Sequence, residues 1–370
     1  MSKLRIDIPV SRATSEYVHR LKQIFHFSVC LATSLFGSVW LVERRNDNSR
    51  QFALKLFQQQ GGGNNKDRSR NAKEEFVLEV ERHVKLQSIL NATVTPAVNT
   101  TPTGRVLKHY PHSDASDSKQ QQQAPQKQST MIVQLIESSF EDEFSAGYIL
   151  TEYIGGGDLV KLVRNAEKNI IPPKEAFFII NAMIEIVSRF HSLGIAHGDI
   201  SCENFVCERK NGQIVSLRLI DYSTVTFAAE SFNEQAHRFK VLYSPPELIK
   251  FQPEKVDPMA KDMHALGVCI FILWSGRYPF NRKSYYSPYE KFADEAPLKV
   301  KSEMLEWHEI YKHLIDPNVP DPANCRKLPV ILKPLLAKIM HPQPEYRFDA
   351  SRMHSYWTKC CSEVDFNLLQ

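Results

Sequence analysis

Apolar and polar positions alternate as in strands through residues 26–57, and recur at helical spacing through much of the remaining chain. Phe27-Ser28-Val29-Cys30-Leu31 and Val39-Trp40-Leu41-Val42 flank Ala32-Thr33-Ser34-Leu35-Phe36-Gly37-Ser38, which predicts a hairpin, and Phe52-Ala53-Leu54-Lys55-Leu56-Phe57 is a third β-rich run. Ahead of them, Tyr17, Val18, Leu21, Ile24 and Phe25 predict a surface helix within residues 1–25 that packs on the main domain, with a partner-binding arm as the alternative. Lys73 to about Leu90 reads as a helix with an imperfect apolar face of Phe76, Val77, Val80, Val84 and Leu86. Strand-like runs return at Ile132-Val133-Gln134-Leu135-Ile136 and Tyr148-Ile149-Leu150-Thr151-Glu152-Tyr153. Gly155-Gly156-Gly157-Asp158 breaks the chain, with Asp158 placed to cap a helix from Leu159. Pro172-Pro173 precede a long helix with Phe177, Ile180, Ile184, Val187 and Phe190 among its apolar positions, ending near Gly194. A β-rich first third and a helical remainder imply an α+β protein with a small and a large lobe.

Two polar stretches interrupt this pattern. Residues 58–71 (QQQGGGNNKDRSRN) read as a flexible loop, and their glycine run lacks the GK[ST] ending of a phosphate-cradling Walker loop. Residues 91–130 are rich in Asn, Thr, Pro, Ser and Gln, bury too little apolar surface to offset ordering entropy, and read as a disordered insertion within a domain.

Composition narrows the function classes. The 370 residues are 42% apolar, enough for one large domain or two lobes, and the net charge of +4 gives no argument for nucleic acid. Seven cysteines at irregular spacing form neither a disulfide framework nor a zinc motif, which fits reduced thiols. The longest strongly apolar stretch, Met263 to Trp274, is too short to span a bilayer and reads as a buried helix. With no uninterrupted apolar core near Met1, the expectation is a soluble cytoplasmic protein without a membrane partner, with the nucleus left open. Oligomeric state is not legible.

The chemistry centres on His197-Gly198-Asp199-Ile200-Ser201-Cys202-Glu203-Asn204, between the long helix and a strand. Asp199 is suited to accept a proton from an attacking hydroxyl, and Asn204 to hold a divalent metal by its amide oxygen. Asp221, after an apolar run, is a second candidate metal ligand. That layout suits phosphoryl transfer, where the protein chiefly positions groups and neutralises phosphate charge. Lys55 is either a solvated residue or a cation held for an anion. Glu75 and Glu79, one helical turn apart, are its candidate partners.

Together these residues resemble a eukaryotic protein kinase over residues 26–358: a small lobe and hinge at 26–154 containing the 91–130 insertion, a large lobe at 155–358, an extension at 1–25 and a tail at 359–370. HGDISCENF resembles HRDxxxxN, Phe52-Ala53-Leu54-Lys55 resembles VAIK, and Asp221-Tyr222-Ser223 stands where DFG is expected. Ser244-Pro245-Pro246-Glu247 is similar to APE, and Asp262 to Gly267 to the D-x-x-x-x-G helix start. Arg277 to Phe280 resembles the turn after that helix, and Arg347 of Tyr346-Arg347-Phe348-Asp349 is expected to pair with Glu247.

The resemblance implies ATP and Mg²⁺ as cofactors and protein substrates as partners. It makes Lys55 the contact to the α- and β-phosphates with Glu79 as its partner and Glu75 as the alternative, Asp199 the group that orients or deprotonates the substrate hydroxyl, and Asn204 and Asp221 the magnesium ligands. It makes Thr151 the gatekeeper, Glu152 and Ile154 the backbone contacts to adenine, Asp158 a neighbour of the ribose, and Val39, Ala53 and Val206 the adenine sandwich; core packing explains those apolar residues equally well.

The chain also departs from the family pattern. The glycine-rich loop keeps only Gly37, with Ala32 and Ser34 at the other glycine positions. Gly198 replaces the arginine that receives an activation-segment phosphate, although Thr224, Thr226 and Ser231 remain phosphorylatable. Ser201 replaces the catalytic-loop lysine, while Lys240 stands where a threonine is usual and is expected to reach Asp199 as a substitute cation. Ser223 replaces the glycine of DFG, which restricts backbone switching. The reading is therefore a serine/threonine kinase, with a pseudokinase scaffold as the alternative. The APE-like segment disfavours a small-molecule kinase.

Overall fold

The computed structural model describes residues 12–34, 36–58, 72–93, 131–228, 240–249, 256–279 and 327–363. The loop at 59–71, Ser231 and the insertion from residue 94 to 130 lie outside them, whereas residues 91–93 close a helix.

In the small lobe, α1 (Arg12–Ile24) leads into β1 (Phe25–Ser34), β2 (Gly37–Arg44) and β3 (Asp47–Gln58), followed by α2 (Ala72–Ala92), β4 (Leu135–Glu141) and β5 (Ala146–Glu152). The strands form one antiparallel sheet in the order β1-β2-β3-β5-β4. Gly37 is required at the hairpin, because a Cβ there would lie 1.7 Å from Leu56 O.

The strand period of two sorts β3 cleanly. Phe52, Leu54 and Leu56 pack with Val42, Phe144 and Leu150 against Tyr17 and Leu21 of α1. Phe57 points the other way and joins Phe76 of α2 and Ile149. The sheet is thus covered on both faces, and α1 is the cover of the outer one.

The run from Ile132 to Ile136, expected as one strand, divides. The register with β5 begins at Leu135, just after a bond from Glu152 N to Gln134 O at 3.0 Å; Ile132, fully buried, bridges in parallel to Leu219, and Leu219 N–H donates to Met131 O at 2.9 Å. Its first half is apolar because it ties the small lobe to the large one.

The large lobe is built on α3 (Leu159–Asn165), α4 (Pro173–Ser192), α5 (Pro246–Ile249), α6 (Pro258–Ser275), α7 (Leu332–Ile339) and α8 (Ala350–Glu363). Asp158 Oδ1 accepts from Lys161 N at 2.8 Å and so caps α3. Every residue from Lys261 to Ser275 is buried, so α6 is the central helix and its even apolarity has a structural cause. Phe177 of α4 meets Trp274 of α6 at 5.2 Å and Trp357 of α8 at 6.0 Å. Short β6 (Ile195–Ala196) and β9 (Thr226–Phe227) pair, as do β7 (Phe205–Lys210) and β8 (Gln213–Leu219). The HGDISCEN loop runs between β6 and β7. No helix among the described residues is long and apolar enough to cross a membrane.

Candidate active site

The loop from His197 to Asn204 is fixed from beneath by Asp262 near the start of α6. Its carboxylate accepts from His197 N at 2.6 Å, Gly198 N at 2.9 Å and His191 Nε2 at 3.2 Å. Burial works against that charge, but the hydrogen bonds outweigh it and hold the carboxyl below its ordinary pKa. Gly198 has φ +79°, and a Cβ there would meet Thr224 O at 2.5 Å. The Thr224 hydroxyl donates to His197 O at 2.9 Å, so the segment after Asp221 rests directly on this glycine.

Asp199 is gripped on one oxygen. Asn204 Nδ2 donates to Asp199 Oδ2 at 2.8 Å and to its carbonyl at 2.7 Å, while Lys240 Nζ lies 3.1 Å from the same Oδ2. Oδ1 has no hydrogen bond among the described residues. Lys240 also donates to Ser201 Oγ at 2.6 Å. Burial disfavours its ammonium, but Asp199, then Glu203 and Asp221, overcome this and raise its pKa.

Lys55 is a held cation. Its Nζ lies 2.6 Å from Glu79 Oε2 and 3.6 Å from Asp221 Oδ1. Burial alone would lower its pKa, yet Asp221 and Glu79 raise it, so the ammonium stays charged. Burial in turn lifts the Glu79 carboxyl against the pull of Lys55. Glu75 is buried on the same helix, but the 2.6 Å bond to Lys55 goes to Glu79.

Asp221 takes φ +65°, an uncommon conformation for a side-chain-bearing residue. Burial would raise its carboxyl, but Lys55, Lys240 and the Ser223 hydroxyl bring it down to about 2. Ser223 Oγ donates to Asp221 Oδ1 at 3.0 Å, and Ile220 N donates to Asn204 O at 2.9 Å, which joins the two candidate metal ligands through the backbone. The amide nitrogen of Asn204 is committed to Asp199, leaving its oxygen as the ligand atom. Asp221 Oδ2 has no hydrogen bond among the described residues. One carboxylate and one amide oxygen are hard donors that fit Mg²⁺ completed by phosphate oxygens and water.

The candidate nucleotide residues come together through strand register. Ala32 pairs with Val39, Val39 with Lys55, and Ala53 with Thr151, so all five share one face of the sheet. Ser34 pairs with Gly37 at the hairpin end. Beyond β5, Ile154 is buried, and Gly156 N donates to Cys207 O at 2.9 Å while Cys207 N donates to Gly157 O at 2.8 Å. These bonds and the bridge between Asp158 and Val206 bring β7 beside the linker. The Asp158 carboxylate is engaged in capping α3 and, at 3.1 Å, with Lys161. The Glu152 carboxylate faces Arg218 Nη1 at 2.6 Å and Gln134 N at 2.9 Å.

The sequence pattern does not single out Arg82, which is buried on α2 and donates to Ser223 O at 2.6 Å. An arginine one turn from Glu79 on a helix face is the available signal. Tyr222 stands out in sequence only as part of a motif. Its ring lies 4.4 Å from that of His83, and its hydroxyl donates to Leu219 O and accepts from Val133 N.

A model of the protein kinase domain matches residues 91–357, a stretch that starts after Lys55 and Glu79. Among curated relatives, a serine/threonine-protein kinase stk11 homolog of Dictyostelium discoideum is 28% identical over 50% of this chain and 32% of its own length. Serine/threonine-protein kinase chk-2 of Caenorhabditis elegans is 25% identical over 58% of this chain and 40% of its own. Death-associated protein kinase 2 of Homo sapiens is 31% identical over 36% and 34%. In each case the match spans well under half of the relative's length.

Proposed function

The chain belongs to the protein kinase family, and from that premise we propose that it transfers the γ-phosphoryl group of ATP to serine or threonine of protein substrates. The observation that carries this reading is the complete charge set around Asp199: Lys55 paired with Glu79, Asp221 beside Lys55, Asn204 on Asp199, and a cation at Ser201.

In this reading Asp199 Oδ1 takes the proton of the acceptor hydroxyl, while Asn204 and Lys240 hold Oδ2 so that the carboxylate cannot rotate away. Asn204 and Asp221 hold Mg²⁺, which when bound neutralises phosphate charge. Lys55 binds the α- and β-phosphates. Lys240 supplies the positive charge that Ser201 lacks, in a half-buried site where such a charge acts more strongly than in water. Adenine is placed between Val39, Ala53 and Val206, against the backbone of Glu152 and Ile154, with Thr151 behind it. The proposed catalytic unit is residues 26–358, acting in the cytoplasm.

The substitution at Ser201, together with those at Ala32, Ser34 and Gly198, favours a second reading, a nucleotide-binding scaffold without transfer. Two assays separate them. Thermal shift with ATP, with and without Mg²⁺, reports binding, and labelled phosphate transfer to peptide libraries with Ser, Thr or Tyr acceptors reports activity and class. Label on Ser and Thr peptides supports the kinase. Binding without label supports the scaffold, and label on Tyr alone removes the serine/threonine assignment.

A further inference from the structure

The residue in place of the DFG glycine closes a ring of contacts that begins and ends on one helix. Glu79 Oε2 of α2 lies 2.6 Å from Lys55 Nζ, which lies 3.6 Å from Asp221 Oδ1. Ser223 Oγ donates to that same Oδ1 at 3.0 Å, and Ser223 N approaches it at 3.5 Å. The Ser223 carbonyl then accepts from Arg82 Nη1 at 2.6 Å, and Arg82 stands three residues beyond Glu79 on α2.

Glycine at 223 could keep the carbonyl link but has no hydroxyl for the link to Asp221. The ring matters because Asp221 is held at φ +65°, where backbone sterics alone do not keep a side-chain-bearing residue. Arg82 is 5% exposed, so its bond to Ser223 competes little with water. Gly198, meanwhile, leaves the loop without an arginine to receive a phosphate. The bracing of this segment is built from side chains already present.

We propose that Ser223 and Arg82 are positioning residues: they commit Oδ1 of Asp221 to the ring and leave Oδ2 for the divalent cation, so that α2 and the metal ligand move as one body. This inference rests on the reading of the site as a magnesium-nucleotide site.

The test uses Ser223→Ala, Ser223→Gly, Arg82→Met, Arg82→Lys and the double variant Arg82→Met/Ser223→Ala in the full chain, with two readouts. The first is hydrogen exchange across residues 221–227 in nucleotide-free protein. The second is the Mg²⁺ concentration that half-maximally tightens binding of a non-hydrolysable ATP analogue, followed by calorimetry. Ser223→Ala, Ser223→Gly and Arg82→Met are each expected to speed exchange and to raise the Mg²⁺ requirement about tenfold, the scale of one hydrogen bond to a charged group. Arg82→Lys should recover part of both effects, and the double variant should add little to either single change, as members of one unit behave.

Unchanged exchange and unchanged Mg²⁺ requirement in Ser223→Ala would overturn the proposal. So would strict additivity in the double variant. Should Arg82→Met fail to fold, Arg82→Lys and Ser223→Ala still decide. A wild type that does not bind the magnesium–nucleotide pair would remove the functional reading, and the exchange readout would still judge the ring.

Discussion

Lys240 Nζ lies 3.1 Å from Asp199 Oδ2, and the same ammonium donates to Ser201 Oγ at 2.6 Å. A positive charge carried just ahead of α5 therefore occupies the neighbourhood of a loop position that holds only a hydroxyl. In the proposed kinase reading, the serine and the lysine are complementary departures from the family pattern.

Lys240→Met is expected to lower kcat by roughly 100-fold or more, the scale of removing one preorganised electrostatic group. The KM for ATP should stay within about twofold, because the ammonium acts at the acceptor side. Moving the cation back, in Ser201→Lys/Lys240→Thr, should restore much of the loss. Steady-state kinetics on the three proteins checks this; full activity in Lys240→Met would leave Lys240 a structural residue.

His83 gives a pH dependence of stability. It is 2% exposed, and burial lowers its imidazole to about 4, with the bond to Val133 O opposing and Lys55 assisting. The unfolded side chain, near 6.5, binds a proton that the folded one refuses between those values. Stability attributable to His83 is thus intact above pH 6.5 and declines as the pH falls towards 4, by up to about 1.4 kcal/mol per unit. Urea titrations from pH 4.5 to 7.5 should show a steeper decline in wild type than in His83→Gln; parallel profiles would refute the assignment.

Packing of α1 is a matter of stability. Leu21 is 2% exposed against the outer face of the sheet, so Leu21→Ala should cost about 2–5 kcal/mol. A denaturation midpoint indistinguishable from wild type would mean that the helix is dispensable.

Two arginines make a matched contrast. Arg347 is 1% exposed and pairs with Glu247 through two bonds of 2.8 and 3.1 Å, so Arg347→Leu leaves a charge without its partner and should cost about 3–5 kcal/mol. Arg20, 52% exposed beside Glu141, should matter by less than about 1 kcal/mol when replaced by leucine. Thermal unfolding of both variants distinguishes these magnitudes, and equal losses would contradict the burial argument.

The fold is legible in sequence wherever burial leaves a period. The alternation in Phe52 to Phe57 and the even apolarity of α6 describe one-faced and all-round burial directly. The pairing of Arg347 with Glu247 and the approach of Lys240 to Asp199 are readable because motif spacing places them. The division of Ile132 to Ile136 is not, since an apolar run does not say which lobe buries each residue. The contacts of Arg82, Arg218 and Thr224 are hidden for a related reason: each acts on a backbone or side-chain atom distant in sequence, and a polar residue with such a target looks the same in sequence as one facing water.

The most direct test of the account is single-turnover phosphate transfer from ATP to a serine peptide, with Mg²⁺, by wild type and by Asp199→Asn. The predicted result is transfer by wild type and a loss of about 100-fold or more in the variant, with binding of a non-hydrolysable ATP analogue unchanged. Equal rates in the two proteins, or a wild type that binds the nucleotide and transfers nothing, would contradict it.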